Sequence, residues 1–168
     1  MEVDADTRYL VALGKVISNL HSLEAVLRIF LAYVETRRYE RTGTSVDLDG
    51  LSVGDYVEED YFTNYDTLAQ LIGTYNRLAP SPLPEHLRVD ETIVDIRDAL
   101  AHGRVLGSEP SVSTLRLYKF SRPHGGRVRV THVIDLTEAQ LVQMRAQALE
   151  GIQRVRKAGS LLCPEILA

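Results

Sequence analysis

Arg97, Asp98 and His102 lie in the segment Ile96-Arg97-Asp98-Ala99-Leu100-Ala101-His102-Gly103, and their types suit work on a phosphodiester. Arg97 is permanently charged and presents a planar fork of donors that matches phosphate oxygens. His102 is the side chain best able to move a proton near neutral pH. Together they supply positive charge for a crowded phosphorus transition state and a group that takes or returns a proton. Such chemistry proceeds without a metal. No cofactor is expected either. The single cysteine, Cys163, and the scattered His86, His124 and His132 give no metal-ligand spacing, and no HExxH occurs. Gly125-Gly126 falls in a turn rather than a phosphate-cradling loop, and no serine sits in a nucleophile elbow.

A helix must hold Arg97 and His102. The pattern predicts one over roughly 90–103, with Asp90 as N-cap, Ile93, Ile96 and Leu100 as the apolar face and Gly103 at the C′ position. His102 then sits near the negative end of the helix dipole, which favours a protonated acid or a phosphate ligand over a default base. Five residues correspond to about 140° of rotation, so Arg97 must curl round to meet His102 or meet it across a dimer. Three further helices are expected. The first starts after Asp4 or Asp6 and runs to about Thr36, with Leu13, Ile17, Leu20, Leu27, Leu31 and Val34 as its stripe, widened by Val16, Leu23, Val26 and Phe30. The second covers about 65–78, burying Leu68, Leu71, Ile72 and Tyr75, and ends at Pro80-Ser81-Pro82-Leu83-Pro84. The last begins at Thr137, whose spacing to Gln140 is a capping box, and reaches about Lys157 with Leu141, Met144, Ala148, Ile152 and Val155 inward.

Two segments carry opposite charge. From Thr42 to Asn76 there is no Lys or Arg, while Asp47, Asp49, Asp55, Glu58, Glu59, Asp60 and Asp66 accumulate; an acidic loop is expected over about 42–63, with a short turn near 56–62. Between Glu109 and Asp135 no acid occurs, and a period-two pattern predicts a β-hairpin over about 113–135, turning at Pro123-His124-Gly125-Gly126. Its cations are Arg116, Lys119, Arg122, Arg127 and Arg129, interleaved with Tyr118 and Phe120. They suit tracking an RNA backbone while an aromatic stacks on a base. Equally, they suit keeping an exposed edge soluble or docking an acidic partner.

At 168 residues, 45% hydrophobic and 25% charged, the chain reads as a single globular domain over 1–168. A net charge of −4 excludes a histone-like polycation. One cysteine and no visible signal peptide point to the cytoplasm. Lys15, His21, Glu24 and Arg28 interrupt the longest apolar stretch, so no membrane span is expected.

The order Arg97, polar Asp98, three residues, then His102 resembles the catalytic motif of the HEPN ribonuclease superfamily. The resemblance implies a mainly α fold, an up-and-down four-helix bundle, with the hairpin inserted before the last helix as a departure from the minimal bundle. It further implies a homodimer in which the motifs of both subunits line one cleft, and RNA cleavage through the adjacent 2′-hydroxyl. Asp98 would orient the Arg or the His. Some HEPN toxins carry a tyrosine two places after the His that a partner nucleotidyltransferase modifies; here that place is Arg104, which instead can add to a phosphate site. A toxin or defence role with a cognate antitoxin protein follows from the same likeness.

Other readings stay open beside it. Arg97 can pair at the surface with Asp95 or Glu91, and His102-Gly103 can be an ordinary helix end. Glu24, in the middle of the first stripe, can face the site and pair with Arg97 or His102, or can pair with Arg28 four residues on. The alternative functions are a catalytically inactive HEPN-like module that binds RNA, nucleotide or a protein partner, and an unrelated helical interaction domain.

Overall fold

Asp4 opens the first helix by accepting from the Thr7 amide (2.9 Å) and the Thr7 hydroxyl (2.6 Å), which satisfies an otherwise orphaned N-terminal donor. The computed structural model describes residues 4–38, 50–78, 83–107 and 114–162, with the side chains of 37, 38 and 105–107 outside that description. Along it run α1 (Ala5–Arg38), α2 (Leu68–Asn76), α3 (Ile93–His102), β1 (Arg104–Gly107), β2 (Leu115–Phe120), β3 (Val130–Leu136) and α4 (Glu138–Leu162). The fold is mainly helical with an antiparallel sheet in the order β1-β2-β3. Residues 42–49 of the acidic segment, the helix stop at Pro80-Ser81-Pro82 and Cys163 lie outside the described residues.

Backbone packing divides the chain into two compact units. The first takes Met1–Ser22 and Asp90–Gly151; the second takes Leu23–Val89 and Ile152–Ala168. Both α1 and α4 therefore contribute to each. In the first unit Tyr9, Val16, Leu20, Ile93, Ala99, Leu117, Leu136, Leu141, Met144 and Ala148 are buried, and the Tyr9 hydroxyl donates to the Leu136 carbonyl at 2.8 Å. The seam of α1 passes through Val16 and Leu20. Ile17, expected inside, is exposed. The stripe turns away from it because the helix advances 100° per residue and Val16 already faces the core.

In the second unit Leu23, Leu27, Phe30 and Leu31 of α1 are buried, as are Leu68, Leu71, Ile72 and Tyr75 of α2 and Ile152, Val155 and Ala158 of α4. Phe30 and Tyr75 meet edge to face, 5.4 Å apart. Asn76 exchanges two hydrogen bonds of 3.0 Å with the backbone of Val89, fixing the return from α2. Thr67 and Gln70 form a capping box, so α2 starts at Leu68 rather than near Tyr65. Tyr65 is fully exposed.

By length and composition alone, the Ala5–Thr36 stretch of α1 is long and apolar enough to cross a membrane, despite the charges that interrupt it. A core helix of a globular unit meets the same requirement. Of this stretch, 22% is buried.

Candidate functional site

The motif helix α3 enters from a turn, in which Asp90 Oδ1 accepts from the Thr92 amide at 2.9 Å. Asp90 thus shapes the approach, and the N-cap itself is Thr92, which makes no side-chain capping bond. Ile93 and Ala99 face the core, whereas Ile96 and Leu100 are only half-buried. This leaves Arg97 and Asp98 half-buried on one flank and His102 exposed in the final turn.

Arg97 Nη1 donates to Asp98 Oδ1 at 3.2 Å, so its partner is neither Asp95 nor Glu91. Asp98 has a second cation. Lys119 Nζ, on β2, lies 3.8 Å from Asp98 Oδ2 and 3.7 Å from Asp95 Oδ1. Asp98 is thereby held between two cations on separate elements, and Lys119 ties β2 to the motif helix. Only one of the five N–H donors of Arg97 is engaged in this contact, which leaves a fork for an incoming oxyanion. His102 makes no side-chain hydrogen bond among the described residues, and none joins it to Arg97. Its carbonyl accepts from Arg104 Nη1 at 3.4 Å, which folds the Arg104 side chain back over the helix end.

Gly103 ends α3 differently from the expected left-handed cap. Its backbone is extended, with φ −67° and ψ 163°, which any residue can adopt. Glycine is required by space: a Cβ there would overlap the Ala99 carbonyl oxygen and the Leu117 side chain. Close approach of the helix end to β2 is what sets His102 beside the sheet.

Of the hairpin cations, Arg116 is engaged by Asp135 through Nε (2.5 Å) and Nη2 (2.9 Å), and that guanidinium holds the Asp135 carboxyl below the usual carboxylate range. Lys119 is turned toward α3. Arg122, Arg127 and Arg129 are exposed, with no side-chain ion pair or hydrogen bond among the described residues. Glu24 takes the second of its two readings: its Oε1 accepts from Arg28 Nε (3.2 Å) and Nη2 (3.0 Å). Arg28 goes on to the carbonyls of Tyr61, Asn64 and Asp66, so it pins the end of the acidic segment. The expected turn there is real, built on Asp60 Oδ1 accepting from the amides of Phe62 and Thr63.

Two features escaped the sequence. Strand β1 is four residues long, too short to show alternation, and it places Arg104 opposite Tyr118. The inward turn of Lys119 follows from strand parity, which was legible once Leu117 is recognised as the core residue of β2. Among the described residues no group of three or more His, Cys, Asp or Glu side chains is placed to hold a metal ion. No known protein family, curated protein or solved structure gives a significant match to this chain.

Proposed function

We propose that the chain is a metal-independent endoribonuclease of the HEPN type, a cytoplasmic toxin or defence component that works as a homodimer with a cleft shared by both motifs. Its helices would form the up-and-down bundle of that superfamily. The observation that carries this reading is the state of the motif: Arg97 is oriented by Asp98 with donors to spare, and His102 is exposed and unengaged on the same helix.

In the reaction the 2′-oxygen attacks phosphorus as water takes up its proton. The bond from phosphorus to the 5′-oxygen breaks, and a proton goes to that leaving oxygen. The products are a 2′,3′-cyclic phosphate and a 5′-hydroxyl. His102 supplies the leaving-group proton, and Arg97 stabilises charge on the non-bridging oxygens. Leu10, Val11 and Ile17 of α1 are exposed in the unit that holds the motif, and a second copy would cover such apolar side chains.

The test is incubation of the purified protein with RNA in excess chelator, with end-group analysis. Cleavage to cyclic phosphate ends that drops at least a hundredfold in His102→Ala is expected. Undiminished cleavage by that variant would sink the assignment. The lack of a hydrogen bond between Arg97 and His102 among the described residues favours a second reading, a silent HEPN-like module that binds RNA, nucleotide or a protein partner such as an antitoxin. Salt-sensitive RNA binding without turnover would select it.

A further inference from the structure

The sheet has two unlike faces. Leu117 is buried and Lys119 reaches Asp95 and Asp98 of α3, so the odd-numbered residues of β2 look toward the motif helix. The even-numbered residues Arg116, Tyr118 and Phe120 therefore share the opposite, outer face. Register completes that face: Arg104 and Val133 flank Tyr118 on either side, Val130 lies opposite Phe120, and Asp135 lies opposite Arg116. The rings of Tyr118 and Phe120 are nearly parallel, 17° apart in plane with centroids 6.5 Å apart. Phe120 is 42% exposed, Val130 47% and Val133 51%. Beyond Phe120, in the turn, stand the exposed Arg122, Arg127 and Arg129.

We propose that this outer sheet face is a stacking platform for single-stranded RNA. The parallel rings, Phe120 exposed and Tyr118 half-buried, offer π-faces that a base can cover, and beside them apolar exposure and cations coincide. Arg122, Arg127 and Arg129 meet the phosphates at one end of the platform, and Arg104 meets them beside Tyr118. Arg104, paired with Tyr118 across the strands, stands two residues along the chain from His102. A duplex keeps its base faces stacked inside and cannot use the rings. The inference rests on RNA being the substrate at His102, yet the two can fail separately.

The test is fluorescence anisotropy of the full chain with a labelled single-stranded oligodeoxynucleotide, which lacks the 2′-hydroxyl and so survives the proposed cleavage chemistry, and with RNA of the same sequence. Phe120→Ala is expected to weaken both about tenfold, within the range for loss of one base-aromatic contact. Phe120→Tyr should retain the affinity, and Phe120→Leu, which keeps the apolar bulk, should not. Arg127→Gln with Arg129→Gln should flatten the salt dependence by about 0.7 log units per lost phosphate contact. Equal binding by Phe120→Ala and wild type overturns the proposal, as does duplex bound as tightly as single strand. A Phe120→Ala variant that sediments as monomer where wild type is dimer also overturns it, because the face then covers a second copy. Phe120-dependent binding without any cleavage keeps the platform and removes the ribonuclease. Cleavage with Phe120-independent affinity does the reverse.

Discussion

Gly103 shows how one residue couples the motif to the sheet. Its φ and ψ are open to any amino acid, so no conformational penalty explains a glycine there. What it supplies is the absence of a Cβ where the Ala99 carbonyl and the Leu117 side chain close in. One of those neighbours is backbone of the preceding helical turn and cannot step aside cheaply. Gly103→Ala must then lever the end of α3 off β2, at about 1–3 kcal/mol for an overpacked site. Chemical denaturation should show that loss, and RNA cleavage, where present, should fall with it because His102 is the adjacent residue. A variant as stable as wild type would mean that the helix end has slack. The sequence had marked this glycine for a different reason, a left-handed cap, since the identity of its neighbours is a tertiary fact. Glu24 is the complementary case. Its i,i+4 partner Arg28 was visible in the spacing, while the three carbonyls that Arg28 also gathers were not.

At the level of elements, what could be read in the chain is what is encoded locally. The Thr137 to Gln140 box is formed as expected: the Gln140 amide donates to Thr137 Oγ1 at 3.2 Å, and the Thr137 amide donates to Gln140 Oε1 at 2.8 Å. The inner stripe of α4 from Leu141 to Val155 is buried throughout. Thr67 and Gln70 carry the same signal and make the same box, so the true start of α2 was also legible, though masked by the apolar Tyr65 before it. Strand β1 was not legible, because only pairing with β2 gives four residues a reason to be extended. Each box satisfies a helix N-terminal donor that would otherwise be orphaned. Thr137→Ala and Thr67→Ala should each cost about 1 kcal/mol. The check is a lowered urea midpoint with an unchanged slope, since neither change alters the surface exposed on unfolding. No shift in either variant would mean that solvent replaces the caps without loss.

Across the whole molecule the hydrophobic pattern located most of the core, but it did not show that the packing falls into two units sharing α1 and α4, because periodicity along a helix is blind to what each half faces. In each unit a tyrosine hydroxyl is buried against backbone carbonyl: Tyr9 on Leu136 in the first, Tyr75 on Leu87 (2.9 Å) and Arg154 (3.3 Å) in the second. Burial pushes both phenols up, Tyr75 far above the ordinary tyrosine value, since a phenolate there would lose its water. In the unfolded chain the same groups ionise near 10. Above that pH the folded state therefore holds protons that the unfolded state has released. The stability they contribute is complete below about pH 10 and drains away as pH rises toward the folded values. Urea midpoints should accordingly be flat from pH 7 to 9.5 with respect to these groups and fall beyond. Tyr75→Phe should be less stable by about 1 kcal/mol at neutral pH, where the Leu87 and Arg154 carbonyls lose the one hydroxyl proton they share, yet should decline less steeply above pH 10 because a buried phenol is gone. Parallel curves for variant and wild type would show that Tyr75 does not govern the alkaline limit.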